Sequence, residues 1–249
     1  MRLALISDIH GNAVALEAVL SDIRRRGADR IVILGDICFR GPEPKRALEM
    51  VRDLVHEHDA LAIKGNTDEW TVRGIRPGEI PDPVRERMER EREWCASFLT
   101  KTELEWLEGL PHELLLPLGG DLVLHAFHAT PDSLFDAVWP DASAEQIGSA
   151  LLKDGQARIF AYGHVHFPYI RYVRGKAVLN TGSVGLPFDG LPQASYILLE
   201  SDGRTHSAAL VRVPYDVERA VRQFAIQDYP EAELMARVLR EARSPFELG

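Results

Sequence analysis

Five polar clusters each follow a short apolar run: Asp8-Ile9-His10, Gly35-Asp36, Gly65-Asn66-Thr67-Asp68, the 125–128 segment with His125 and His128, and Gly163-His164-Val165-His166. Every cluster contains a side chain able to ligate a divalent transition metal. Imidazole-rich ligation with a few carboxylates suits Mn, Fe, Zn, Co or Ni, whereas calcium prefers an all-oxygen shell. A lone Gly-Asp or Gly-Asn pair is ordinarily a turn, and Asp8 with Asn12 also reads as the start and cap of a helix. Recurrence behind five apolar runs is what favours a metal site over five turns. His164 and His166, two apart after a strand, are expected on one side of an extended segment. The glycines before Asp36, Asn66 and His164 allow sharp turns that aim the next side chain inward.

The apolar runs must be the elements that position these clusters. Residues 3–6, 31–34 and 61–63 read as buried strands. Between them lie two amphipathic helices, one carrying Leu16, Val19, Leu20 and Ile23 and stopping at Gly27, the other starting near Pro44. Right-handed parallel crossovers bring the three strand C-termini to one sheet edge, where open α/β sheets gather their ligands. Residues 84–110 read as helical, with the mixed charges of 85–93 forming a solvated face. Thr102-Glu103-Leu104-Glu105 and Ser143-Ala144-Glu145-Gln146 read as capping boxes. Strands follow at 122–127, 158–162, 177–179, 196–199 and 208–213, with helices from about 217 and 231. With no internal repeat or linker-like stretch, a single domain over 1–249 fits best.

The net charge of −9 argues against a non-specific grip on nucleic acid or an anionic membrane. A chain of 249 residues needs no structural metal to fold, so a metal here serves chemistry. Cys38 and Cys95 are too few for a disulfide framework and read as reduced thiols. The first apolar run is too short for a signal peptide, and no stretch approaches a membrane span, so a cytoplasmic protein is expected. Trp70, Trp94, Trp106 and Trp139 are expected to pack, and His56 and His58 to lie on the surface. No heptad pattern points to an oligomer, and the oligomeric state stays open.

The order Asp-x-His, Gly-Asp, Gly-Asn-x-Asp, His and Gly-His-x-His resembles the calcineurin-like metallophosphoesterase superfamily. More closely, Ser7-Asp8-Ile9-His10-Gly11-Asn12, Leu34-Gly35-Asp36 followed by Gly41-Pro42, and Asn180-Thr181-Gly182-Ser183-Val184-Gly185-Leu186-Pro187 are similar to its small bacterial and archaeal phosphodiesterase branch. The similarity runs from residue 1 to about residue 240. It implies an α/β (α+β) fold of two packed mixed β-sheets flanked by helices, a four-layer sandwich, with two divalent transition metal ions at one edge and manganese favoured. By motif, one ion falls to Asp8, His10, Asp36 and His166. The other falls to Asp36, Asn66, a histidine of the 125–128 segment and His164, with Asp36 bridging. A formal local charge of about +1 then draws a phosphoester to that spot. The implied activity is phosphoester hydrolysis, a phosphodiester before others, by a hydroxide shared between the ions.

Within the 125–128 segment, His128-Ala129-Thr130-Pro131 resembles the family's His-Gly-Ser/Thr-Pro pattern and favours His128, while His125 between Leu124 and Ala126 reads as a core histidine. Where phosphoprotein phosphatases of the superfamily carry a general-acid histidine in Gly-Asn-His-Asp/Glu, this chain has Thr67. Threonine supplies no acidic proton near neutral pH, so well-stabilised leaving groups are favoured: aryl or activated diesters and small nucleotide-derived esters. Asp68 is expected to orient a ligand or Thr67. Cys38 and Arg40 are placed at the pocket mouth, Arg40 as a phosphate or leaving-group contact or else a plain loop residue. The rival readings are a non-catalytic metal-binding scaffold on this fold, similar to the superfamily's retromer subunits, and a phosphomonoesterase or dinucleoside polyphosphate hydrolase. Every motif position here is filled by a metal-competent residue, which favours an enzyme.

Overall fold

Alternation along the first strand decides the layering. Leu3 and Leu5 point to one face and Ala4 and Ile6 to the other, and all four are buried, so the sheet must be covered on both sides. The computed structural model describes residues 1–248. Its first half runs β1 (Arg2–Ile6), α1 (Ala13–Arg26), β2 (Arg30–Ile33), α2 (Pro44–Glu57), β3 (Leu61–Ala62), α3 (Asn66–Arg73), α4 (Asp82–Ser97) and α5 (Lys101–Glu108). Then come β4 (Glu113–Pro117), β5 (Val123–Phe127), α6 (Ala144–Ala150), β6 (Ile159–Tyr162), β7 (Tyr169–Val173) and β8 (Lys176–Asn180). The chain continues through β9 (Ala194–Ser201), β10 (His206–Val213), α7 (Val217–Ile226), α8 (Ala232–Glu241) and α9 (Pro245–Leu248).

Two mixed five-stranded sheets result, ordered β10-β9-β1-β2-β3 and β4-β5-β6-β8-β7. In the first, β1, β2 and β3 are parallel, and β9 and β10 complete it antiparallel. In the second, β5, β6 and β8 are parallel, with antiparallel edges β4 and β7. Leu3, Leu5, Val32 and Leu34 meet Leu124, Ala126, Ile159 and Leu179 between the sheets. Ala4, Ile6 and Ile33 turn outward under α1 and α2, and Phe127, Phe160 and Val178 turn outward under α6. Helix, sheet, sheet and helix therefore stack as four layers. Among the described residues no helix is long and apolar enough to cross a membrane.

Several local expectations shift. The further helix expected to open within 84–110 is present as α5, but it is capped by Thr100, not Thr102: Thr100 N donates to Glu103 at 2.8 Å and Glu103 N donates back at 3.4 Å. Leu99 and Leu104 then flank the box within the same core, as a hydrophobic staple requires. The charged face of 85–93 is not wholly solvated, since Glu91 is fully buried. The edge strands β4 and β7 and the helix α3 have no counterpart in the sequence reading. Leu114-Leu115-Leu116 offers no alternation, and α3 begins at Asn66, inside a cluster that reads as a turn.

Candidate active site

The segments following β1, β2, β3, β5 and β6 converge at one edge of the sandwich. Asp8, His10, Asp36, His164 and His166 all sit in the left-handed region, with φ of 54°, 47°, 56°, 66° and 60°. Such conformations cost on the order of 1–2 kcal/mol per residue and persist only where surroundings over-determine them. Here the turns after β1 and β2 keep bonding beyond the strands: Asp8 N donates to Gly35 O (3.1 Å), His10 N to Asp36 O (2.9 Å) and Gly11 N to Ile37 O (2.8 Å). The 164–166 segment is therefore not extended, and its two histidines serve different sides of the site. Close approach explains two of the glycines. A Cβ at Gly65 would strike the Asp36 carboxylate, and one at Gly163 would strike Ser7 and Asp8.

Backbone carbonyls set the histidine tautomers. Nδ1–H of His10 donates to Phe39 O (2.7 Å), that of His128 to Leu34 O (2.7 Å) and that of His166 to Leu186 O. A carbonyl only accepts, so in the neutral rings the Nε2 lone pairs face the site. His164 is reversed: Nε2–H donates to Phe135 O at 3.2 Å and Nδ1 faces inward. His10 and His166 Nε2 then lie 3.1 Å apart, lone pair against lone pair. Asp8 Oδ1 is buried without a hydrogen-bond donor, 3.1 Å from His166 Nε2 and 3.7 Å from His10 Nε2. On the other side, Asn66 Oδ1 lies 2.8 Å from His128 Nε2 and 3.0 Å from His164 Nδ1. Asp36 faces both groups, Oδ2 3.6 Å from His10 Nε2 and Oδ1 3.5 Å from His128 Nε2. Apart from Thr67 N, which donates to Asp36 Oδ1 at 2.9 Å, the groups meeting there are acceptors, which is the chemistry of a cation site, and this set fits divalent transition metals.

Burial and the mutual charges of these groups shift their protonation. Burial opposes ionisation of Asp8, yet the imidazoles of His166, His10 and His128 gathered around it hold its carboxyl well below the usual range. Burial and the neighbouring His128 charge push His164 down to about 4, so its inward lone pair is free at neutral pH. Burial works against charge on His128, yet the Asp36 and Asp8 carboxylates raise its pKa. Burial and the Asp36 charge push Asp68 up to about 7, against the pull of backbone donors. Those donors are Asp36 N (2.8 Å), Gly65 N (2.9 Å) and Ile37 N (2.9 Å), so Asp68 ties the β2 and β3 turns together.

Of the two histidines in the 125–128 segment, His128 is at the site. His125 points outward beneath α6, bonds Glu113 at 2.7 Å and packs edge-on to Phe127. Arg40 lines the cavity above the site, whereas Cys38 is wholly buried in the core and does not reach the pocket mouth. The cavity holds about 260 Å³ and is walled by Trp70, Ile80, Met88, Phe135, Leu186 and Phe188, with the ligating groups as its floor. Thr67 also lines it, with its buried hydroxyl unpartnered. Trp70 both packs and lines the cavity, and Trp139, half exposed, is not packed as expected.

Some functional features escaped the sequence reading. Glu91 and Tyr229 reach Arg40 from α4 and the α7–α8 turn: Arg40 Nε lies 3.6 Å from Glu91 Oε2, which accepts Tyr229 OH at 2.6 Å. Phe188 stacks on His166 at 4.3 Å. Neither carries a local motif, and only helix packing reveals them. A larger hollow of about 490 Å³ near Arg2, Glu200 and His206 contains no cluster of three ligating groups among the described residues.

The family described as the calcineurin-like phosphoesterase superfamily domain matches residues 1–204. The uncharacterized protein MJ0912 of Methanocaldococcus jannaschii is 30% identical over 246 residues, covering 92% of this chain and 94% of its own. Phosphodiesterase YfcE of Escherichia coli is 28% identical over 212 residues, 81% of this chain and 89% of its own. Among solved structures, a metallophosphoesterase from Sphaerobacter thermophilus superposes with a TM-score of 0.75 at 27% identity, covering 97% of this chain and 99% of that one. PH1004 from Pyrococcus horikoshii superposes at 0.81 with 21% identity over 96% and 97% of the two chains, which speaks to the fold. With acceptors gathered at the edge of such a sandwich and the match spanning both sheets, the chain belongs to the calcineurin-like phosphoesterase superfamily.

Proposed function

We propose that the protein is a phosphodiesterase working with two divalent metal ions, manganese favoured, on a small phosphoester. The observation that carries this reading is Asp36, whose two oxygens face two separate groups of acceptors. Asp8, His10, Asp36 and His166 would hold one ion, and Asp36, Asn66, His128 and His164 the other. Bound there, the ions would acidify a shared water and polarise the phosphoryl oxygens. The chain's own residues do the rest. Nδ1 bonds to Phe39, Leu34 and Leu186 carbonyls fix the imidazoles before anything binds. Arg40, held by Glu91, offers a positive charge to the phosphate at the cavity wall. Thr67 donates a hydrogen bond but no proton, so the leaving group must depart as a stable anion.

We also propose that residues 1–249 work as one domain in the cytoplasm; the two buried, unpaired cysteines fit a reducing compartment. The test is hydrolysis of bis(p-nitrophenyl) phosphate beside p-nitrophenyl phosphate with manganese-loaded protein and an Asp36→Asn control. Diester turnover that vanishes in the variant is expected. Preference for the monoester overturns the diesterase reading, and no turnover by folded, two-metal protein turns it toward a scaffold.

A further inference from the structure

Two hollows share His164. One is the cavity over the candidate metal site, about 260 Å³; the other, about 440 Å³, is walled by Trp139, Val165 and Phe167. Phe188 and Phe246 line both. Their walls are largely aromatic. Trp70 Nε1 donates to Glu79 at 2.8 Å, and its ring lies 5.4 Å from that of Phe135. Phe188 stacks on His166, and Trp139 meets Phe167 edge-on at 5.9 Å. Phe135, Trp139 and Phe246 are 37%, 49% and 61% exposed, an aromatic rim left to water around one opening. Exposed apolar residues scattered singly need no explanation, but a contiguous group beside a reactive centre marks a binding surface.

Charge narrows what fits. Among the described residues lining the two hollows, Arg40 is the one lysine or arginine, and it is paired with Glu91. Glu79 and Glu247 lie on the walls. Glu79 and Glu247 are themselves paired with Arg73 and Arg243, so the walls offer a second phosphate no unpaired lysine or arginine.

We propose that the substrate is a phosphodiester with two aromatic groups, its phosphate beside His164 and one ring in each hollow. The proposal rests on the phosphodiesterase reading above and names its substrate class. A monoester leaves one hollow empty, and a polyphosphate brings charge that these walls do not match. A diester with one negative charge and two ring-bearing arms matches both.

The test uses ligands that differ by one ring. Binding of diphenylphosphinate and methyl(phenyl)phosphinate, which carry no hydrolysable ester, is measured by calorimetry on manganese-loaded protein. KM is measured in parallel for bis(p-nitrophenyl) phosphate and methyl p-nitrophenyl phosphate. The two-ring member of each pair is expected to bind about ten-fold tighter. In Trp139→Ala, checked for an unchanged melting temperature, that ratio should fall toward one. Equal affinity for one-ring and two-ring ligands, with methyl p-nitrophenyl phosphate still turned over, overturns the two-hollow proposal and leaves the diesterase reading standing. Absence of all diester turnover overturns the diesterase reading, and the proposal falls with it.

Discussion

The Asp68 carboxylate accepts the backbone N–H of Asp36 at 2.8 Å, and through Gly65 and Ile37 it fastens the β2 turn to the start of α3. An acid three residues into a helix thus sets the position of the residue that faces both groups of acceptors.

Asp68→Asn replaces two acceptor oxygens by one, so at least one of three buried N–H groups loses its partner. A stability loss of about 1–3 kcal/mol is expected, with manganese affinity reduced about ten- to a hundred-fold. Thermal melts and metal titration calorimetry read the two effects separately. Unchanged metal affinity in a destabilised variant would reduce Asp68 to a helix cap.

Thr67 lines the cavity with its hydroxyl unpartnered. Thr67→Val keeps the shape and removes the donor, so kcat/KM for an aryl diester should fall by about five- to ten-fold, the worth of one neutral hydrogen bond. Stability should hold or rise slightly, since an orphaned polar group is removed. An unaltered kcat/KM would mean the hydroxyl never meets substrate.

Arg40 and Glu91 form a buried pair. Glu91→Gln leaves the guanidinium without its counter-charge, and a loss of about 3–5 kcal/mol is expected from removing one partner of a buried pair. Tyr229→Phe removes only the hydrogen bond to Glu91 and should cost about 1.5–3 kcal/mol. If Arg40 contacts phosphate, Tyr229→Phe raises KM more than it lowers kcat. A melting shift with KM unmoved assigns the trio to packing alone.

Far from the site, burial opposes ionisation of Asp22, but hydrogen bonds from Arg26, Tyr196 and Arg25 outweigh it and lower its pKa. A depressed folded-state pKa means that the stabilisation is complete above the unfolded value, near 3.8, and fades as pH falls through the folded one. Melts of the protein and Asp22→Asn should therefore differ near neutral pH and converge below about pH 4. Curves that stay parallel down to pH 2.5 would count against this linkage.

Much of this architecture is legible in the sequence because its signals are local. Apolar runs such as 3–6 and 31–34 are buried on both faces and cannot be mistaken for loops, and the polar residues behind them are where strand C-termini must lie. The order of those clusters carries the resemblance to the superfamily, and the resemblance implies the two mixed sheets. What is lost is whatever depends on tertiary context. Burial alternates along the edge strands β4 and β7, but Leu114-Leu115-Leu116 is apolar on both faces and does not display that alternation in its residue types. The left-handed backbone at His164 and His166 defeats a spacing argument built on extended chain. Glu91 hides in a run of charge that composition alone assigns to solvent.

His10 and His166 meet across 156 residues of chain, one following a strand of the first sheet and the other a strand of the second. Neither half of the candidate site exists until the sheets have docked, so an ion held there would stabilise the docked sandwich and no state with its sheets apart. Where docking follows the folding barrier, such an ion would slow unfolding and leave the rate of folding nearly untouched. For this sandwich, metal occupancy is then a question of lifetime: how long the two sheets stay shut once they have closed.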